Sequence, residues 1–416
     1  MILLSLAYKS LLSRVVTFSL TVFAIALSVA LFLGVEKVRT GAKASFANTI
    51  SGTDLIVGAR SGSVQLLLYS VFHVGSATNN VTWQSYQDIA ARDDVEWSVP
   101  LSLGDSHRGF RVLGTTTAFF DRYRYREGRG VEFAEGQPFT DLFDAVVGAD
   151  VAVELSYQPG SEIVVAHGIA SFTEHDDKPF TVTGVLEKTG TPLDRTVFVS
   201  LEAIEAIHID WQGGGRSQNT ISAQEVREME LTPKAITAAL VGVTSRLRIF
   251  GLQRWVNEYP EEPLLAILPG VALSELWSLI GVAETALIGV SAMVVITALL
   301  GMVAMIFSGL NERRREMALL RAIGARPWSI FLLLTAEAAL ISLLAVLLGV
   351  ALLYTGLFIA RGYIDATFGL YLDITWPTAR EYLVLVSVVI AGTTVSLVPA
   401  MRGYFISLAD GMQMRS

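Results

Sequence analysis

The chain is 416 residues long, 52% hydrophobic and only 17% charged, with a formal net charge of −8 and no cysteine. This composition excludes disulfide frameworks, thiolate metal sites and cysteine nucleophiles, and it points to a membrane protein. The acidic residues are concentrated, 31 of 39 lying between Glu36 and Glu275, which argues against a nucleic-acid partner for that polar region.

In chain order, residues 1–14 carry Lys9 and Arg14 and read as a short cytoplasmic N-terminus. Residues 15–35 hold no charge before the final Val35 and are long enough to cross the bilayer, for which about 20 apolar residues suffice. A cleaved signal peptide has an apolar run of about 7 to 15 residues, so this segment reads as an anchor, transmembrane helix 1. No proline follows until Pro100, and the helix is expected to continue past the membrane. Residues 36–275 form an outer domain whose strand-like runs include "DLIVGAR", "FRVLGTT", "DAVVGADVAVEL", "SEIVVAHG" and "FTVTGVLEKTGTPLDRTVFVSLEAI", broken by turn residues. Helices are expected at Thr82 to Arg92 and Thr232 to Tyr259, and the glycine-rich "WQGGGRSQNTISAQEVREME" as a mobile loop.

Residues 276–310 form the second span, which at 1.5 Å per residue approaches about 50 Å and exceeds what a bilayer needs. The third and fourth spans are 328–360 and 382–400, with a cytoplasmic segment 311–327, a short outer loop 361–381 and a tail 401–416. Arginine and lysine in short loops set the orientation. Lys9 and Arg14 precede the first span, five arginines lie between the second and third, and Arg402 and Arg415 follow the fourth. Arg361 and Arg380, in the remaining loop, are balanced by Asp365 and Asp373. The expectation is an α-helical membrane protein with four transmembrane helices in a 1+3 arrangement. A large α+β periplasmic domain is inserted between the first and second, and both termini are cytoplasmic.

Between the second and third spans stands "NERRREMALLRAIGARPWSI". Ala318, Leu319, Leu320, Ala322 and Ile323 alternate with charges, so one face can pack while Arg314, Arg315 and Arg321 stay solvated. Gly324 suits a C-cap, and Pro327 stops this short amphipathic helix before the third span. Within the spans, Glu337 is an intramembrane carboxylate, a functional candidate by default; Glu284 belongs at or above the outer surface. "HGIASFTEHDDKPF" gathers His167, His175, Asp176 and Asp177, nitrogen and oxygen ligands of a kind that suits zinc. The spacing of the two histidines matches no standard site, and a polar hairpin loop is the simpler reading. Pairs such as His175 with Ser171 arise by chance too easily to indicate catalysis. A P-loop requires a Gly-Lys-Ser/Thr step, and the chain has no Gly-Lys pair.

The arginine stretch and the following "LLLTAEAALISLLAVLLG" resemble the ABC-transporter permeases of the MacB/FtsX/lipoprotein-release type, which work by mechanotransmission. "GTDLIVGARSG", "YREGRGVEFAEGQPF", "DAVVGADVAVEL" and "GVLEKTGTPLDRTVFVSL" are similar to that family's periplasmic core domain. The resemblance implies a non-catalytic permease subunit in the bacterial inner membrane, working as a homodimer or heterodimer with a second permease. It also implies a separate cytoplasmic ABC ATPase that binds the ATP and Mg, with no cofactor in this chain. The stretch would be the ATPase-coupling helix, matching the motif at Glu312, Arg313, Glu316, Arg321, Gly324 and Ala325. Met317 stands where the family commonly has isoleucine, and the C-terminal "VPAMRGYFISLADGM" departs from the family's usual ending. Function then lies among three readings. One is extraction or export of a lipoprotein, peptide or drug, with a periplasmic adaptor or binding protein as a further partner. The others are FtsX-like regulation of a periplasmic partner, and a metal-handling permease with a His/Asp site.

Overall fold

A computed structural model of the chain describes residues 15–126, 128–168, 177–212, 215–216, 221–312, 317, 321, 324–368 and 374–405. The chain divides into a helical unit, drawn from 1–40, 281–362 and 372–416, and an α/β unit, drawn from 41–280 and 363–371.

Four long helices and a short one dominate the described part of the helical unit: α1 (Val15–Thr49), α2 (Pro269–Glu312), α3 (Pro327–Phe368), α4 (Ala379–Val395) and the nine-residue α5 (Leu397–Phe405). Four segments in them are long and apolar enough to cross a membrane, namely Val15–Ala44, Pro269–Leu310, Pro327–Ile364 and Ala379–Phe405. The last is split at Ser396 into α4 and α5. Pro399 accounts for the break, because it has no N–H for the Val395 carbonyl and its ring crowds that oxygen. Ile25, Val29, Met302, Ile341, Ala345 and Val388 form the centre of the bundle. Both α1, at 35 residues, and α2, at 44, run without interruption from one unit into the other.

The α/β unit is built on a ten-stranded mixed sheet. In chain order its strands are β1 (Leu55–Ala59), β2 (Val95–His107), β3 (Phe110–Thr115), β4 (Phe133–Gly136), β5 (Asp144–Val147), β6 (Glu162–Ile163), β7 (Phe180–Leu186), β8 (Thr196–Ser200), β9 (Ala238–Val243) and β10 (Leu264–Ile267). Spatially they run β10-β1-β9-β2-β3-β8-β5-β7-β4, with β6 beside β7. Only β3 with β8 and β5 with β7 are parallel. The 13-residue β2 pairs with β9 along its first half and with β3 along its second. Between Leu103 and Ser106 its register against β3 slips by one residue, a β-bulge that falls on Gly104 and Asp105. Such bulges re-aim side chains and are over-represented beside functional sites.

Three apolar clusters fill the unit, centred on Phe119 and Phe198, on Val147 and Phe180, and on Leu55 and Val241. Burying Phe180 or Phe198 fully contributes about 1.5 to 3 kcal/mol each. The segments "DAVVGADVAVEL" and "TGTPLDR" meet where a Cβ on Gly148 would lie 2.1 Å from the Leu193 carbonyl oxygen, so only glycine fits. Beside it the buried Asp194 carboxylate accepts from the Thr189 N–H and hydroxyl and from the Gly190 N–H at 2.6 to 2.8 Å.

Two local expectations are corrected. Residues 232–259 are not one helix: β9 crosses them, followed by a helix at Ile249–Asn257. All six β9 residues are buried, and a strand covered on both faces loses the alternation that marks strands in sequence. The end of the glycine-rich segment contains a helix, Ala223–Arg227, started by a Ser222–Glu225 capping box, the S-x-x-E signal. The expected helix at Thr82 to Arg92 corresponds to Trp83–Ala90, capped by Thr82.

Lys178, 1% exposed, binds Asp210 at 2.5 Å, and Asp210 also accepts from the Ile221 N–H at 3.1 Å. Removing one member of such a pair strands a buried charge. Lys178→Ala is expected to destabilise the α/β unit by about 3 to 5 kcal/mol, and Lys178→Met with Asp210→Leu to recover most of the loss, both measurable by urea unfolding of the full chain.

Candidate functional site

Of the stretch between the second and third spans, Arg313 and Glu316 lie outside the described residues, as do Arg314, Arg315, Ala318, Leu319, Leu320, Ala322 and Ile323. Glu312 ends α2, and only its backbone is described. Met317 is buried in a small cluster with Leu310, Ile330, Leu334 and Ala400, a packed position. Arg321 is half-buried and donates from Nη2 to the Tyr404 carbonyl at 3.0 Å, tying the stretch to the end of α5. The sequence places Arg321 on the solvated face of this stretch, and the bond to Tyr404 is an added tie that the sequence does not show. Gly324 has φ +100° and its N–H bonds the Arg321 carbonyl at 2.9 Å, the left-handed geometry of a helix C-cap. Ala325 follows it, and Pro327 opens α3, where its missing N–H costs nothing.

A second constellation, not found from sequence, ties α1 to its neighbours. Arg39 grips Glu36 through two bonds of 2.7 and 2.9 Å and lies 3.5 Å from Glu284 on α2. Arg380, on α4, approaches Glu36 at 3.8 Å. Lys37 reaches Glu381 at 3.3 Å and the Thr375 carbonyl at 3.2 Å. Glu381, 2% exposed, also accepts from the Thr378 N–H at 2.6 Å as part of a capping box. Glu337 lies in α3 and is 5% exposed.

In the α/β unit, His175 and Asp176 lie outside the described residues, and Asp177 pairs with Lys178 at 3.0 Å. His167 instead meets two residues that sequence reasoning missed, Asp105 and His208. His167 Nδ1 is 2.9 Å from His208 Nε2 and 3.5 Å from Asp105 Oδ1, and His208 Nε2 is 3.4 Å from that same oxygen. The bulge in β2 presents Asp105. Ser106 and Ala166 pair through two backbone bonds of 2.9 and 2.7 Å, which brings His167 alongside. His208 ends the helix Leu201–His208. Burial opposes charging the His208 ring, but the Asp105 carboxylate and the Ile204 carbonyl outweigh it, and the net pKa is raised. Gly104, an isolated glycine in a strand-like run, was the available signal for the bulge; nothing linear joins it to positions 167 and 208. These ring nitrogens and the carboxylate are the residues that could hold a metal.

One span before and three after an inserted α/β unit is the architecture of a membrane permease subunit. Residues 18–240 match the MacB-like periplasmic core domain, and residues 288–408 match the FtsX-like permease C-terminal domain. The chain belongs to the MacB/FtsX-type ABC permeases, whose members are generally non-catalytic components partnered with an ABC ATPase. Among solved structures it is similar to the periplasmic region of MacB from Actinobacillus actinomycetemcomitans, at 10% identity over 55% of this chain and 94% of that one, with a TM-score of 0.34. It is also similar to the extracellular domain of the noncanonic ABC-type transporter YknZ from Gram-positive bacteria, at 14% identity over 52% and 99%, with a TM-score of 0.30. No curated protein matches the chain.

The remaining histidines are structural. His107 is held by the Val164 carbonyl at 2.6 Å and the Tyr157 hydroxyl at 2.9 Å. His73 is buried against the Thr196 hydroxyl at 2.9 Å, and burial, with Arg111 nearby, lowers its pKa from 6.5 to about 4. The unfolded chain therefore binds the extra proton first as pH falls. Stability of the α/β unit should decline between pH 6.5 and about 4 by roughly 3 kcal/mol from this group, and level off below. Urea unfolding at several pH values should show His73→Gln to be less acid-sensitive than the parent across that window.

Proposed function

We propose that the chain is the permease subunit of an ATP-driven transporter that carries an ATPase's conformational change to a periplasmic domain. It would thereby extract or export a lipophilic or periplasmic substrate of the lipoprotein, peptide or drug class. The observation that carries this reading is the continuity of α1 and α2, each a single helix with residues in both units. At 1.5 Å per residue α2 is about 66 Å long, more than twice the hydrocarbon thickness. A rod of this kind can transmit displacement, and no substrate path through the bilayer is needed. Glu337 is then a packing group within α3 rather than a proton carrier.

In this reading the chain sits in the bacterial inner membrane with both termini cytoplasmic and the α/β unit periplasmic. Residues 311–327, with Glu312, Arg313, Glu316, Arg321, Gly324 and Ala325, dock on a separate cytoplasmic ATPase that binds ATP and Mg. A second permease, identical or different, completes the membrane part. A periplasmic adaptor or binding protein meets the α/β unit.

Co-purification from native membranes in mild detergent, with mass spectrometry of the bound proteins, tests the reading. A stoichiometric ABC ATPase is expected with the parent chain, and its loss from the Arg321→Glu, Glu316→Arg double variant while the α/β unit's unfolding profile stays unchanged. A parent chain that carries no ATPase under these conditions would contradict it.

A further inference from the structure

Three ligand-type side chains, separated by 62 and 41 positions in sequence, converge in the α/β unit. We propose that Asp105, His167 and His208 bind one divalent transition-metal cation of the zinc class, with a fourth coordination position open to solvent or to a ligand group from a partner.

Distances support a shared centre. Zinc binds imidazole nitrogen and carboxylate oxygen at about 2.0 to 2.2 Å in tetrahedral geometry, which places neighbouring donor atoms about 3.3 to 3.5 Å apart. The three donor separations are 2.9, 3.4 and 3.5 Å. Small side-chain rotations would open the shortest to the tetrahedral edge.

The orientation of the His208 ring is compatible with it. His208 Nδ1 lies 2.7 Å from the Ile204 carbonyl oxygen. A carbonyl only accepts, so Nδ1 carries the proton, and in the neutral ring Nε2 presents a lone pair. Asp105 Oδ1 is also acceptor-only when ionised. In that tautomer Nε2 faces the Asp105 oxygen at 3.4 Å and His167 Nδ1 at 2.9 Å, so all three ligand atoms point to one centre. A cation at that centre can accept an electron pair from each of the three. The bond from Nδ1 to a backbone carbonyl is also how a metal-binding histidine is oriented by its outer shell.

Donor chemistry selects the ion. Two imidazoles and one carboxylate with an open position is a set that suits zinc and its neighbours, whereas calcium and magnesium favour all-oxygen sites. The carboxylate is the buried end of the site, 4% exposed, and the His167 side chain, 54% exposed, is the accessible one. An ion can therefore enter from water and meet a charge that has already lost its hydration. The proposal is independent of the ATPase partner.

Calorimetric titration of the purified full chain in detergent with zinc chloride tests it, with cobalt(II) substitution as a spectroscopic readout. One equivalent should bind, cobalt should give the intense visible absorption of a low-coordinate site, and zinc should shift urea unfolding of the α/β unit to higher midpoint. His167→Ala, at an exposed position, and Asp105→Asn should each weaken binding by more than about 100-fold, since loss of an outer-shell partner alone costs 10 to 100-fold. Asp177→Asn should bind as the parent does. Absence of stoichiometric binding would overturn the proposal and leave a proton-sharing triad; so would unchanged affinity in a correctly folded His167→Ala chain, which would put the ion elsewhere.

Discussion

A helix satisfies its own backbone hydrogen bonds, and so can pass from hydrocarbon into water without interruption. The proposed function depends on α1 and α2 doing so. Had either broken at the membrane surface, the unpaired carbonyls and N–H groups would have needed other partners. Instead the chain enters the α/β unit at Gly41 and leaves it at Ile280 within helical backbone, the helices ending inside it at Thr49 and Pro269. Tyr123 donates to the Thr49 carbonyl at 2.5 Å, so the last carbonyl of α1 is met by a side chain of the sheet domain.

The charged residues near the middle of α1 make sense in that light. Glu36, Lys37 and Arg39 are each mostly buried, and each has an opposite charge on its own or a neighbouring helix. The net gain from such pairs is small, because every charge has given up hydration, yet unpairing any of them is costly. The effect is to hold α1 in one register against α2 and α4. The proposed transmission needs such a fixed register, because a rod that could slide or rotate freely would carry little displacement.

Much of the fold was legible. Uniform hydropathy marked the four spans, and the absence of proline after Val35 foretold the length of α1. Gly324 was readable as a cap because a positive φ strongly favours glycine there. The errors have physical causes. β9 was hidden because burial on both faces removes alternation, and the helix at Ala223–Arg227 was hidden by glycines just before its capping box. The site was least legible. His167 was singled out, but for neighbours in sequence; its partners in space are delivered by a bulge, a two-bond bridge and a helix end. The interhelical charges were equally invisible, because Arg39 and Glu284 are joined only when α1 and α2 pack.

Transmission along the flanking helices would be visible in hydrogen exchange. The permease with its co-purified ATPase, in lipid nanodiscs, would be compared with and without a non-hydrolysable ATP analogue. A second preparation would carry Leu279→Pro, which breaks α2 at a residue 66% exposed. Nucleotide-dependent changes in protection are expected at residues 41–49 and 269–280, abolished by the proline while ATPase binding persists. Changes confined to the cytoplasmic side, or a proline variant that responds like the parent, would contradict it.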